Sequence, residues 1–318
     1  MTRTSLDPEL AELAAAVAAS RQPPITALTP AQARARVLAG NALCSGGPNV
    51  AVRDLEVPAD GGPVVVREYL PRNTRDERVL VYLHGGGWVT GDLDYSDQAC
   101  RHLAAACYAT VVSVDYRLAP EHHFPAAVED AWAVLRWAAR SYPSAGGLVV
   151  AGDSAGGSLA AACAVRSRDA GAPSLHGQLL VYPVLDHDLS RASYDENRDG
   201  FPMGSAAMRW FWDHYVPDES LRADPLASPL RVTSVERLPP AVIVVAGHDP
   251  LRDEAEAYAG RLVEAGVPVT VLRHPSLGHG FLRLTGRCAA ARDALAEIVR
   301  ATGALFETPA SRDPRSSS

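Results

Sequence analysis

At 318 residues, with 47% hydrophobic and 21% charged residues and a mean hydropathy of −0.04, the chain has the composition of an ordinary soluble protein with material for one or two domains. A net charge of −7 and a pI of about 5.8 exclude a basic stripe for nucleic acid or an anionic membrane, and no apolar run approaches the length that spans a bilayer. Cys44, Cys100, Cys107, Cys163 and Cys288 are odd in number and form no Cys-x-x-Cys pair, so they read as buried small apolar residues in a reducing cytoplasm.

The first twenty residues have an alanine-rich centre but carry Asp7, Glu9 and Glu12 and no basic leader, which makes a poor signal peptide. They predict a helix capped by Asp7, with Pro8 in its first turn and Leu10, Leu13, Ala14 and Val17 on one face. A second helix is expected from Thr29, with Pro30 at its first position, toward Leu38; Gly40 to Pro48 reads as a loop. Val50 to Val57 and Val64 to Leu70 alternate as antiparallel edge strands joined by the turn Asp60-Gly61-Gly62-Pro63.

An apolar strand, Val79 to Leu83, then runs into His84-Gly85-Gly86-Gly87. Such glycines let backbone N–H groups turn outward together, as an oxyanion or a phosphate requires. No Lys-Ser/Thr follows them and no Gly-x-Gly-x-x-Gly opens a helix, so nucleotide binding is the weaker reading. A helix around Asp97 to Cys107, a strand Thr110 to Val114 and a helix Ala126 to Arg140 follow. Next comes the apolar run from Val149, closing in Gly152-Asp153-Ser154-Ala155-Gly156-Gly157 and passing into the small-residue helix Ser158 to Val165. Gly-x-Ser-x-Gly between strand and helix is the setting of a nucleophile elbow, with Ser154 on a tight turn and its hydroxyl pushed out above the sheet. The plainer alternative is a glycine-rich turn whose serine caps the helix. With strand Gln178 to Val181, the alternation of strands and helices predicts an α/β fold with a parallel sheet covered on both faces.

Between Pro183 and about Ser234 the alternation breaks. Met203, Met208, Trp210, Phe211, Trp212 and Tyr215 recur there, several at helical spacing. Asp186-His187-Asp188 has the composition of a metal cluster, but sequence neighbours rarely converge on one ion and no metal is expected. Strand Pro240 to Gly247 ends at His248-Asp249-Pro250-Leu251. Functional loops sit at strand C-terminal ends, so Asp249 is the candidate acid, and Asp253 is expected to cap or start the helix Glu254 to Ala265. After Gly266 and strand Val267 to Leu272, two histidines compete as base: His279, between two glycines in a loop and free to orient its ring, and His274, which ends the strand before a proline and reads as a structural histidine. The tail Thr308 to Ser318 is polar and aperiodic and reads as disordered.

Together with Asp115-Tyr116-Arg117-Leu118-Ala119-Pro120-Glu121-His122-His123-Phe124-Pro125-Ala126-Ala127, the two glycine motifs closely resemble the bacterial hormone-sensitive-lipase family of α/β-hydrolases, in its Gly-Asp-Ser-Ala-Gly branch. The likeness extends from about Leu6 to Ala301. It implies an α/β-hydrolase fold, a mostly parallel sheet with helices on both faces and a helical cap. The expected division is an N-terminal cap segment (1–48), a first core part (49–183), a cap insert (184–234), a second core part (235–306) and a tail (307–318).

The family's Asp-Pro-Leu-x-Asp-Glu and His-Gly-Phe patterns put its triad on Ser154, Asp249 and His279, and its oxyanion donors fall on the N–H groups of Gly86, Gly87 and Ala155. His84 and Gly85 would support that loop. The implied activity is that of a cytoplasmic serine carboxylesterase cleaving short-chain acyl esters through an acyl-enzyme. No cofactor is implied, and its partner is a small-molecule ester; a homodimer is left open. The alternative with the same triad is a natural-product deacetylase or tailoring hydrolase. A ligand-binding receptor on the same fold would have lost a triad member, and all three are present.

Overall fold

The computed structural model describes residues 4–41, 44, 46–72, 78–143 and 146–307, so the predicted tail from Thr308 and part of the predicted loop after Gly40 lie outside the described residues. The strands are β1 (Ala51–Val57), β2 (Val64–Leu70), β3 (Val79–Leu83), β4 (Thr110–Asp115), β5 (Leu148–Asp153), β6 (Gly177–Val181), β7 (Ala241–His248) and β8 (Val269–Gly278). They form one sheet in the order β1-β2-β4-β3-β5-β6-β7-β8, parallel from β4 to β8. Of the two predicted edge strands only β1 is an edge; β2 lies between β1 and β4, antiparallel to both. Solvent lines most of β1, whereas every residue of β3, β5 and β6 is buried, as the unbroken apolar runs require.

The helices are α1 (Pro8–Ala19), α2 (Pro30–Asn41), α3 (Asp97–Cys107), α4 (Ala126–Ser141), α5 (Ala155–Ala170), α6 (Ala192–Glu196), α7 (Ser205–Tyr215), α8 (Arg252–Glu264) and α9 (Ala289–Leu305). They make two layers, and the pleat sorts β3 between them. Val79, Val81 and Leu83 join the apolar cluster of α4, α5 and α8, while Leu80 and Tyr82 join that of α3 and α9. The sequence reading assigned no element to α9, although Ala291, Ala294, Leu295, Ile298 and Leu305 line one buried stripe.

Other boundaries shift for local reasons. Asp7 caps α1 through the N–H groups of Glu9 and Leu10, but the predicted apolar face is covered only at its start: Leu10 is buried and Val17 is 52% exposed. Thr29 and Gln32 form a reciprocal capping box that starts α2, which continues past Leu38 to Asn41. β8 begins two residues later than predicted and runs on to Gly278, so His274 is mid-strand; its pairing with β7 shifts register between Ala246 and His248 of β7, opposite the stretch of this outer strand that holds Pro275.

The broken stretch after β6 carries α6 and α7. Met208, Phe211, Trp212 and Tyr215 give α7 its buried face, and Tyr215 stacks on Trp88 with centroids 4.2 Å apart. No helix among the described residues is long and apolar enough to cross a membrane.

Candidate active site

Ser154 sits between β5 and α5 with φ 55° and ψ −118°, a strained conformation for a residue with a side chain. The turn is tight because α5 passes close to β3 and β5: a Cβ on Gly152 would collide with the Gly156 carbonyl, and one on Gly156 with the Leu83 carbonyl. Hydrogen bonds from Ser154 N to Val181 O (2.9 Å) and from Val184 N to Ser154 O (3.1 Å) hold the strain in place. The hydroxyl stands at the C-terminal end of the sheet, yet Ser154 is only 5% exposed, so it is not the open projecting group that the motif alone suggests. Phe211 of α7 comes down onto Gly87, and the Phe201 carbonyl approaches Gly278, closing that end of the sheet.

His279 follows the end of β8, and Asp249 the end of β7. His279 Nε2 lies 2.9 Å from Ser154 Oγ, and its Nδ1 lies 2.8 Å from Asp249 Oδ2. The other carboxylate oxygen accepts the Leu251 N–H at 2.8 Å, and Asp249 is fully buried. A proton on Nδ1, facing the carboxylate, leaves the Nε2 lone pair toward the serine hydroxyl. The structure therefore brings Ser154, His279 and Asp249 into one chain of hydrogen bonds. The rivals are placed otherwise. His274 packs edge-on to Phe281, and burial pushes its pKa down. Asp253, in the first turn of α8, accepts from Ser193 N and Arg252 Nε.

The glycine loop turns with φ 115° at Gly86 and 62° at Gly87. A Cβ would strike the Thr90 carbonyl from Gly86 and the Phe211 ring from Gly87. His84 stacks on Tyr116 (4.2 Å, 15°), its Nδ1 lies 2.7 Å from the Gly85 carbonyl, and the Tyr116 hydroxyl donates to the His84 carbonyl at 2.7 Å. Full burial holds its pKa down to about 4, which keeps the ring neutral. Ala155, the first residue of α5, is fully buried at a helix N-terminus, where N–H groups lack helical partners.

Sequence reasoning missed Asp153. Its Oδ1 accepts both the Gly85 N–H (3.0 Å) and the Tyr82 hydroxyl (2.9 Å), tying the glycine loop to the residue before the serine. Burial raises its pKa to about 6 against those hydrogen bonds. The available signal was an acidic residue closing an otherwise apolar strand. Glu254 was missed as well; fully buried, it accepts from Leu185 N and the Tyr194 hydroxyl and so fastens the chain after β6 to α8. In the Asp186-His187-Asp188 run, Asp186 is held by Arg191 and Arg231 and Asp188 by Ser190. Of the five free cysteines, four are buried and Cys44 is half-exposed.

A family model described as the alpha/beta hydrolase fold matches residues 80–283. The chain is 44% identical over 255 residues to the Mycobacterium tuberculosis protein named Esterase LipI, covering 78% of this chain and 80% of that protein. It is 35% identical over 314 residues to the ethyl acetate hydrolase of Pseudomonas putida, covering 93% and 98%. Among solved structures, a thermostable esterase from Pseudomonas putida superposes with a TM-score of 0.90 at 33% identity, over 97% of this chain and 99% of that one. Motifs, sheet order and relatives agree, and the chain belongs to the hormone-sensitive-lipase-like carboxylesterases of the α/β-hydrolase family.

Proposed function

We propose that Ser154, His279 and Asp249 form the catalytic triad of this carboxylesterase and that its substrates are short-chain acyl esters. The observation that carries the reading is the continuous chain from Ser154 Oγ through the imidazole to the buried carboxylate, with contacts of 2.9 and 2.8 Å. Ser154 Oγ attacks the acyl carbonyl as His279 Nε2 takes its proton. Asp249 holds the tautomer and stabilises the imidazolium. The tetrahedral oxyanion is received by the N–H groups of Gly86, Gly87 and Ala155, the last reinforced by the positive end of α5. His279 then protonates the departing alkoxide, and a water molecule repeats the cycle on the acyl-enzyme to release the carboxylate.

The closed form of the site supports small acyl groups. Residues 1–48 and 184–234 act as a cap, with Phe211 already against the glycine loop, so a long chain has to displace packed aromatic side chains before gaining burial. Four buried thiols support a reducing compartment, the cytoplasm. The test is a series of p-nitrophenyl esters from acetyl to dodecanoyl, after titration of active sites with a fluorophosphonate. The expected profile has kcat/KM highest from acetyl to about hexanoyl. A maximum at dodecanoyl with activation at an oil–water interface would replace the esterase reading with a lipase, and preferred turnover of amides would favour the deacetylase.

A further inference from the structure

Helix α2 belongs to the segment that the sequence assigns to a cap, yet two of its side chains reach past any lid position into the loops that carry the candidate chemistry. Arg34 donates from Nε to the Val89 carbonyl (2.8 Å) and from Nη2 to the Ala119 carbonyl (2.8 Å), and its fork pairs with Glu121 through both carboxylate oxygens. Val89 lies in the turn that Gly86 closes: the N–H groups of Val89 and Thr90 donate to the Gly86 carbonyl, and Ala119 N donates to the Trp88 carbonyl. Arg34 therefore fastens this turn to the chain at 119–121.

Asn41 is seven residues on, two helical turns away and on the same face. Its Nδ2 donates to Asp92 Oδ1 (3.1 Å), just beyond the glycine loop, and its Oδ1 accepts from Arg283 Nη2 (2.7 Å). Arg283 lies in the turn Phe281–Leu284 immediately after His279, with its guanidinium 4.2 Å from the Tyr95 ring centroid. One face of α2 thus spans the loop of the oxyanion donors and the loop of the base.

We infer that α2 is a positioning strap, in which Arg34 and Asn41 are positioning residues that fix the oxyanion loop relative to His279. This rests on the triad reading above and adds to it the element that sets the spacing of its parts. A strap differs from a lid in what it controls. A lid selects substrates by size, whereas a strap acts on the chemical step even for an acyl group too small to touch it.

The experiment uses the full-length protein and p-nitrophenyl acetate, with rates referred to sites titrated by fluorophosphonate. Arg34→Ala is expected to lower kcat about tenfold or more with KM within about threefold of wild type, because displaced donors cost transition-state contacts rather than ground-state binding. Methylguanidinium should restore part of the lost rate. Arg34→Lys should stay low, since an ammonium cannot span two carbonyls and a carboxylate as the fork does. Asn41→Leu should lower kcat similarly, and the double variant should lose less than the product of the single losses. Arg36→Ala, about 200° round the helix, is expected to match wild type.

Unchanged kcat on acetate in Arg34→Ala, with KM effects that grow with acyl length, would overturn the strap and leave a lid. If Arg34→Ala does not fold, Arg34→Lys carries the same test. A wild-type protein that neither hydrolyses the ester nor takes up the fluorophosphonate would fail at the triad reading, a result distinguishable from any outcome of the variants.

Discussion

Replacing Asp153 by Asn is expected to stabilise the protein in a pH-dependent way while leaving the glycine loop in place. Burial raises the carboxyl pKa from 3.8 to about 6, which corresponds to about 3 kcal/mol. The sign follows from proton uptake. Between these values the folded state holds more protons than the unfolded one, so the contribution of Asp153 to stability is full below pH 4 and is lost as pH rises through 6. About half of that loss has accumulated at pH 5 and essentially all of it at pH 8. Asn cannot ionise, so its advantage over wild type should grow by about 1 to 2 kcal/mol between pH 5 and pH 8. Its carbonyl oxygen can still accept from Gly85 N and the Tyr82 hydroxyl, so kcat should remain within about threefold of wild type. Asp153→Ala, by contrast, strands both donors at about 1–3 kcal/mol each. Urea denaturation of wild type and Asp153→Asn at the two pH values measures the difference directly. A stability gap that stays constant from pH 5 to pH 8 refutes the assignment of a desolvated carboxylate at this position.

His279→Ala should abolish ester hydrolysis, and His274→Ala should retain it; full activity in the first and none in the second, measured on p-nitrophenyl acetate, would exchange the two histidines. Gly87→Val meets the Phe211 ring at φ 62°, and the loss of one oxyanion donor, about 3 kcal/mol, should appear as a kcat reduction of roughly a hundredfold with little change in KM. A kcat within a factor of two would show that the glycines serve only the turn. His84 contributes stability that is present above pH 6.5 and lost as pH falls through 4, a loss of about 3 kcal/mol when fully protonated. His84→Phe, which can keep the stacking on Tyr116, should lack this acid limb in pH-dependent denaturation.

What could be read in advance was whatever local chemistry forces. Gly152 is required by the Gly156 carbonyl four residues on, and Gly156 by the Leu83 carbonyl of β3, a contact that the crossing of helix over strand itself imposes, so the elbow is visible as a string of letters. Asp249 is legible because β7 is an unmistakable apolar run that stops just before it. Position between two glycines favoured His279 over His274, but the strand proved longer than its apolar residues, since backbone pairing with β7 carries it across Pro275. The partners of Arg34, Asn41 and Asp153 were illegible for another reason: they lie 51 to 242 residues from Arg34 and Asn41 and 68 to 71 residues from Asp153, in segments whose approach only the assembled sheet determines. α9 is the exception. Its apolar stripe is regular, and the signal was present.

The stack of Tyr215 on Trp88 has a consequence for recombination between relatives. The Phe124 N–H donates to the Tyr215 carbonyl, His123 Nδ1 lies 2.9 Å from the His214 carbonyl, and Phe124 meets the Tyr215 ring edge-on. The end of α7 is thus built jointly with two distant stretches, around Trp88 and around His123 and Phe124. A chimera that imports only residues 184–234 from a homologue would import one side of an aromatic joint without its counterpart. The transferable module is discontinuous, comprising α7 with both stretches, and crossover points chosen inside the sheet rather than at the insert's own borders should yield the active hybrids.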